Sequence, residues 1–297
     1  MLMLTQTFSI DKTAHTGMVG LKVADLTGQI EFYTSVIGLT LLEFNTETAL
    51  LGVEGLPLLM LRKVEQPNRR ERKAGLYHIA FLLPERKDLG NTLFSLLKKE
   101  AAIIGASDHG YSEALYLEDP EGNGIEIYRD KPKTEWSIQP DGRISGITVE
   151  MDAAGVLASR DEATDKFPAG TTVGHVHLSV ADLAKTEAFY IEALGLGLKD
   201  HFGSQASFFA AGGYHHHIGT NVWLGKELPA PKENDLGLDY FTLVVSNQEA
   251  FLKVKTNITE YGLTFLKETS DELVLLDPSG ITVRIEQKTA SSGFAKS

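Results

Sequence analysis

Two stretches of this chain alternate apolar and polar residues with period two: "MVGLKV" at 18–23 and "HVHLSV" at 175–180. That period predicts a strand with one face buried. Helix N-cap candidates follow each, Asp25 or Thr27 in the first case and Asp182 in the second. Next come "TGQIEFYTSVIG" (27–38) and "AKTEAFYIEALG" (184–195), with apolar residues at helical spacing and a closing glycine of the kind helix C-termini favour. Short apolar segments such as "LPLLMLRK" (56–63) and "HIGTNVWLG" (217–225) then read as further strands. The predicted unit is strand–helix–strand–strand–strand.

This unit recurs. Residues 17–41 match residues 174–198 without a gap at a constant offset of 157, sharing "VADL", "FY" and a Gly-Leu. A repeat of that length is duplicated structure. A second pair also matches: "GLYHIAFLLP" (75–84) with "GLDYFTLVVS" (237–246), and "LYLEDPEGNGIEI" (115–127) with "LVLLDPSGITVRI" (273–285). The chain therefore reads as four modules, beginning near Gly17, Leu76, Gly174 and Leu238. Residues 14–130 form one expected domain and 171–290 the other. The polar segment 131–170 fits no module and reads as a connector.

Composition narrows the function. The 297 residues suffice for two domains with real cores, and 42% hydrophobic with 23% charged residues is ordinary globular usage. The absence of cysteine removes disulfides, thiolate nucleophiles and cysteine-based metal sites, and fits a reducing cytoplasm. A formal charge of −12 argues against nucleic acid as a partner. The opening "MLMLTQTFSIDK" is too short and polar for a secretory signal, and no apolar run is long enough for a membrane span. The expectation is a cytoplasmic protein.

The histidines break the repeat. His175 and His177 lie two apart on a strand and so share a face, while Met18 and Gly20 hold the equivalent places in the first copy. The fold does not require histidine there. His78 has Tyr240 as its repeat partner, and Glu126, flanked by apolar residues in "GIEIY", has Arg284. A carboxylate among apolar neighbours needs a partner. His177 is either a buried histidine satisfied by a hydrogen bond or a substrate contact. In "YHHHIGTN" (214–221), His215 reads as an exposed loop residue.

This grammar resembles the vicinal oxygen chelate superfamily, which includes glyoxalase I, fosfomycin-resistance proteins and extradiol ring-cleaving dioxygenases. The resemblance covers nearly the whole chain outside the connector and ends, and is greatest to bacterial catechol 2,3-dioxygenase-like proteins. Its sharpest part is "HGYSEALYLEDPEGNGIE" (109–126): His109, Leu115-Tyr116, Asp119-Pro120, Gly122 and Glu126 fill the extradiol signature, with Ser107 in place of the usual glycine. The fold implied is α+β, with four βαβββ modules forming two paired, curved, mixed sheets around a divalent metal. The resemblance implies substrate contacts for His109 and Tyr116. It also implies an acid–base histidine at His216, with His217 the close competitor.

Two imidazoles and a carboxylate suit Fe(II), although manganese, zinc and nickel accept the same donors. The expected activity is Fe(II)-dependent cleavage of a catechol-type aromatic diol by O2, in a chain able to form a homo-oligomer. The alternatives are a glyoxalase-type isomerase or lyase, and a small-molecule binding or resistance protein. Tandem pairing of the modules would give one cup Met18, His78 and Glu126 and the other His175, Tyr240 and Arg284, neither a complete ligand set. Pairing module two with three and module one with four gathers His78, His175 and Glu126 in one cup and leaves Met18, Tyr240 and Arg284 in the other. The exchanged pairing is therefore the expected one.

Overall fold

In the computed structural model, residues 8–69 and 71–288 are described. The first seven residues, and residues 289–290 of the expected second domain, lie outside that range. Each module opens on a long strand: His15–Val23, Gly75–Leu83, Thr172–Ser179 and Gly237–Val245. A helix follows each, and the helices start where a side chain satisfies a free backbone N–H. Asp25 accepts from the Gly28 amide, Asp182 from the Lys185 amide and Asn247 from the Ala250 amide. The first and third helices (Leu26–Glu31 and Leu183–Ala188) run on into π-helical turns, Phe32–Ile37 and Phe189–Ala193, a feature no sequence period signalled. Gly38, at φ 104°, ends the first of these in the left-handed conformation that glycine adopts without strain.

The strands form two large mixed sheets with exchanged partners. One has eight strands and joins the first and fourth modules through the antiparallel pair His15–Val23 and Gly237–Val245. The other has nine and joins the second and third modules through Gly75–Leu83 and Thr172–Ser179. Each half of the chain thus contributes one module to each sheet, as the distribution of histidines requires. Within every module the first strand pairs in parallel with the last.

Period-two alternation accounts for the core. Val19, Leu21 and Val23, and their equivalents Val176, Leu178 and Val180, are fully buried. Transfer of such side chains from water contributes about 1.5–3 kcal/mol each. The opposite face of Thr172–Ser179 is also buried, because it looks into a cavity rather than into solvent. The segment "HIGTNVWLG" is a strand only over Ile218–Asn221, and Val222–Gly225 turns away from the sheet.

The connector is more than a tether. It carries a helix, Ala153–Ala158, and a short strand, Val149–Glu150, that pairs with Gly105–Asp108 at the edge of the nine-stranded sheet. Among the described residues no helix is long and apolar enough to cross a membrane.

Candidate metal centre

The antiparallel pairing at the middle of the nine-stranded sheet sets His177 opposite His78 and His175 opposite Ala80. The neighbouring strand Gly124–Asp130 runs parallel to Gly75–Leu83 and sets Glu126 opposite Ala80. Two small or absent side chains leave room around these groups. Ala80 lies between His175 and Glu126, and at Gly219 a Cβ would come within 3.1 Å of the His177 ring.

Glu126 Oε2 lies 3.0 Å from His78 Nε2 and 3.1 Å from His175 Nε2, and the two nitrogens are 3.4 Å apart. All three residues are buried. Ligands about 2.1 Å from one ion, at angles between a right angle and the tetrahedral value, are separated by about 3.0–3.4 Å. The observed triangle has those edges. Among the described residues it is the one cluster of three such side chains able to hold a metal ion.

The electrostatics favour a cation. Burial alone would raise the Glu126 carboxyl, but His175 and then His78 hold it well below the usual carboxylate range. Among the described residues no lysine or arginine is paired with it, and a buried carboxylate without compensation costs several kcal/mol. Burial brings His175 down to about 4 against the pull of Glu126, so its imidazole is neutral, the form that ligates metals.

A cavity of about 420 Å³ opens onto this triangle, within the range of small-molecule sites. His109, Tyr116, His177 and His216 line it beside the three converging residues. His109 Nδ1 lies 3.0 Å from the Ile147 carbonyl, which can only accept. Its Nε2 is therefore the acceptor for the Tyr116 hydroxyl at 2.6 Å. Burial and the nearby Glu126 charge hold that hydroxyl well above the ordinary tyrosine range, so it keeps its proton. Among the described residues the buried His177 Nε2 has no hydrogen-bond partner, and its ring packs edge-on against Tyr77 and tilted against Trp223, with centroids 5.1 and 5.2 Å away.

The three consecutive histidines separate. His216 lines the cavity. His217 is outside it, its Nδ1 accepting from the Ala211 amide at 3.2 Å. His215, expected to be exposed, is 1% exposed and lies between Asp130 and His216. No local pattern signals this, because the groups that cover it (Tyr111, Trp136 and Tyr214) come from a sheet strand's approach, the connector and a turn. The connector also supplies part of the cavity wall, Gly146, Ile147 and Thr148, fastened where the Gly146 amide donates to Asp200.

The other cup is closed by its own residues. Gly20 faces Tyr240 in the register that sets His177 opposite His78. A Cβ at position 20 would come within 2.4 Å of the Tyr240 ring, so the glycine makes space for the tyrosine. The Arg284 guanidinium lies 3.4 Å from the centre of that ring. A fixed positive charge at the position equivalent to Glu126 repels a cation.

Paired βαβββ modules curled around a histidine–carboxylate triangle define a recognised class, and the chain belongs to it: the Glyoxalase/Bleomycin resistance protein/Dioxygenase superfamily, whose model matches residues 13–127 and 172–285. The chain is 39% identical over 276 residues to the Catechol-2,3-dioxygenase of Bacillus subtilis (strain 168), covering 91% of this chain and 96% of that protein. Among solved structures it resembles glyoxalase I from Zea mays, with a TM-score of 0.56 at 16% identity over 93% of this chain and 92% of the other. It also resembles the cppA protein of Streptococcus pneumoniae TIGR4, with a TM-score of 0.53 at 14% identity over 96% and 99%. At those identities the two structures speak to the fold alone.

Proposed function

We propose that this chain is an extradiol ring-cleaving dioxygenase that opens a catechol-type substrate with O2 at an iron(II) held by His78, Glu126 and His175. The observation that carries the reading is the convergence of that triangle with His109, Tyr116 and His216 on one cavity. The kinship with a catechol-2,3-dioxygenase supports it. Iron(II), when bound, supplies the Lewis acidity and redox chemistry that ring cleavage needs.

The chain's own residues do the rest. His216, neutral because burial and then the neighbouring His175 hold its pKa well below the usual histidine range, accepts a catechol proton at the start of the reaction. It returns that proton to oxygen later. Tyr116 and His109 act as a hydrogen-bonded pair that orients a substrate oxygen. His177, with its unpartnered Nε2, offers a polar contact in an otherwise aromatic wall. Tyr77, Phe208 and Trp223 give that wall the aromatic faces against which a flat ring packs.

The same proposal assigns residues 14–130 and 171–290 to the two repeats and 131–170 to the connector, a division the family matches at 13–127 and 172–285 support. Expected partners are a small aromatic diol and O2, and a cysteine-free chain suits the cytoplasm. The test is aerobic incubation of Fe(II)-loaded protein with a small panel of catechols. Oxygen uptake with the yellow absorbance of a ring-opened semialdehyde is expected. Consumption of methylglyoxal with glutathione, and no oxygen uptake, would instead favour an isomerase. That chemistry would need a second carboxylate on the metal, and Glu126 is the one carboxylate in the cluster.

A further inference from the structure

Asp130 and His215 lie outside the metal triangle and are not used by the mechanism above, yet they form a hydrogen-bonded chain that ends on His216. His215 Nε2 is 2.9 Å from Asp130 Oδ1, and His215 Nδ1 is 2.8 Å from His216 Nδ1. The His215 ring stacks on Tyr111 at 4.2 Å with planes 10° apart, and Trp136 packs against it at 5.3 Å. Its orientation is therefore set by packing as well as by hydrogen bonds.

Proton placement follows along the chain. A carboxylate accepts only, so the proton between Asp130 and His215 belongs to His215 Nε2. A neutral imidazole carries one N–H, which leaves His215 Nδ1 as an acceptor. The 2.8 Å contact then needs its proton on His216 Nδ1. A neutral His216 with that proton has a bare Nε2, the ring nitrogen left for the cavity.

We propose that Asp130 and His215 are positioning residues that fix His216 as the Nδ1–H tautomer, so that its Nε2 lone pair is presented to the substrate. The proposal rests on the acid–base role given to His216 above. It explains why three histidines stand in a row: one serves the cavity, one orients it, and one anchors the turn. Reversal of the relay would follow if His215 carried two protons. Nδ1 would then donate to His216, whose own proton would move to Nε2, and the cavity would face a donor instead of a base.

The experiment is long-range 1H–15N correlation on the 15N-histidine-labelled full-length chain, with and without Zn(II), which is diamagnetic. It reads the protonation of each ring nitrogen, and the His216 signals are assigned by their loss in His216→Gln. The expected result is His216 protonated at Nδ1 and His215 at Nε2. A doubly protonated His215, or a His216 protonated at Nε2, overturns the proposal. In His215→Leu the fixed tautomer of His216 should be lost, with kcat on a catechol falling roughly 10- to 100-fold and KM within about twofold. His215→Gln can accept from His216 through Oε1 and donate to Asp130 through Nε2, and should bring kcat back to within roughly threefold of the parent. A His215→Leu protein that keeps both the tautomer and kcat also overturns it. Should His215→Leu not fold, the parent and His215→Gln spectra decide. Failure of the dioxygenase reading looks different: the parent itself shows no oxygen uptake with any catechol, whatever its tautomers.

Discussion

The hydroxyl of Tyr33 donates to Asp119 at 3.1 Å, and in the second half of the chain the hydroxyl of Tyr190 donates to Asp277 at 3.3 Å. Each bond runs from a π-helical turn of one sheet's module to the tight turn of the next module, which belongs to the other sheet. The repeated "FY" and "DP-x-G" motifs are thus two ends of one tie. It holds consecutive modules together although their strands pair elsewhere. Both tyrosines are fully buried. Tyr33→Phe and Tyr190→Phe should each lose about 1–3 kcal/mol, the cost of leaving a buried carboxylate short of one hydrogen bond. The two losses should add, because the ties share no partner. Urea unfolding of the single and double variants checks both statements.

Asp277 gives a pH signature. Burial raises its carboxyl to about 6, against the lowering effect of the Ile281 and Ser279 amides and the Tyr190 hydroxyl. The folded chain therefore binds the proton more tightly than the unfolded chain, whose carboxyl titrates near 3.8. Between about pH 4 and 6 the native state holds more protons, so this group's contribution to stability falls as pH rises through that window and is level above it. The difference is on the order of 3 kcal/mol. Comparing the pH dependence of unfolding for the parent and Asp277→Asn isolates it, since the other carboxyls are common to both. A parent that gains stability relative to the variant between pH 4 and 6 would contradict the assignment.

One divalent ion per chain is the expected stoichiometry. Addition of Fe(II), Mn(II) or Zn(II) to metal-free protein should raise the melting temperature, with about 2.7 kcal/mol of stabilisation at a hundredfold excess over Kd. Glu126→Gln removes the only carboxylate of the triangle and should abolish most of that gain. Arg284→Ala, in the closed cup, should leave both the gain and the stoichiometry unchanged. Two ions per chain by elemental analysis would contradict the account of Gly20, Tyr240 and Arg284.

How far the fold and site could be read from residues alone depended on the range of the interaction. Strand Thr172–Ser179 and the caps at Asp25 and Asp182 were legible because period and capping are local. His78, Glu126 and His175 were legible because each breaks a repeat that otherwise predicts Tyr240, Arg284 and Met18. The exchanged sheets followed from asking which pairing completes a ligand set. What stayed hidden was nonlocal. His215 reads as exposed in "YHHHIGTN" because its neighbour Tyr214 alone cannot enclose it, whereas Tyr111 and Trp136 complete the cover from far along the chain. The connector's polar composition gives no hint that Gly146–Thr148 line the cavity, since distant groups hold the segment there: Asp200 accepts from the Gly146 amide, His109 bonds Ile147 through its backbone and ring, and a two-residue strand pairs at the sheet edge.

Tyr116 separates metal binding from turnover. Its hydroxyl is 2.6 Å from His109 Nε2, and it lines the cavity without belonging to the candidate metal triangle. Tyr116→Phe deletes one oxygen and keeps the ring that packs beside His78, whose centroid is 5.8 Å away. Metal content and the metal-induced rise in melting temperature should therefore match the parent. Catechol turnover should fall roughly 10- to 100-fold, because the variant loses an oriented hydrogen bond to the reacting ring and leaves His109 Nε2 without its donor. If the hydroxyl acts on bound substrate, the loss should appear chiefly in kcat; if it only steadies the empty site, KM should rise instead. Steady-state kinetics on Fe(II)-loaded parent and variant distinguish these outcomes. Unchanged turnover would remove Tyr116 from the mechanism and leave His109 to act alone.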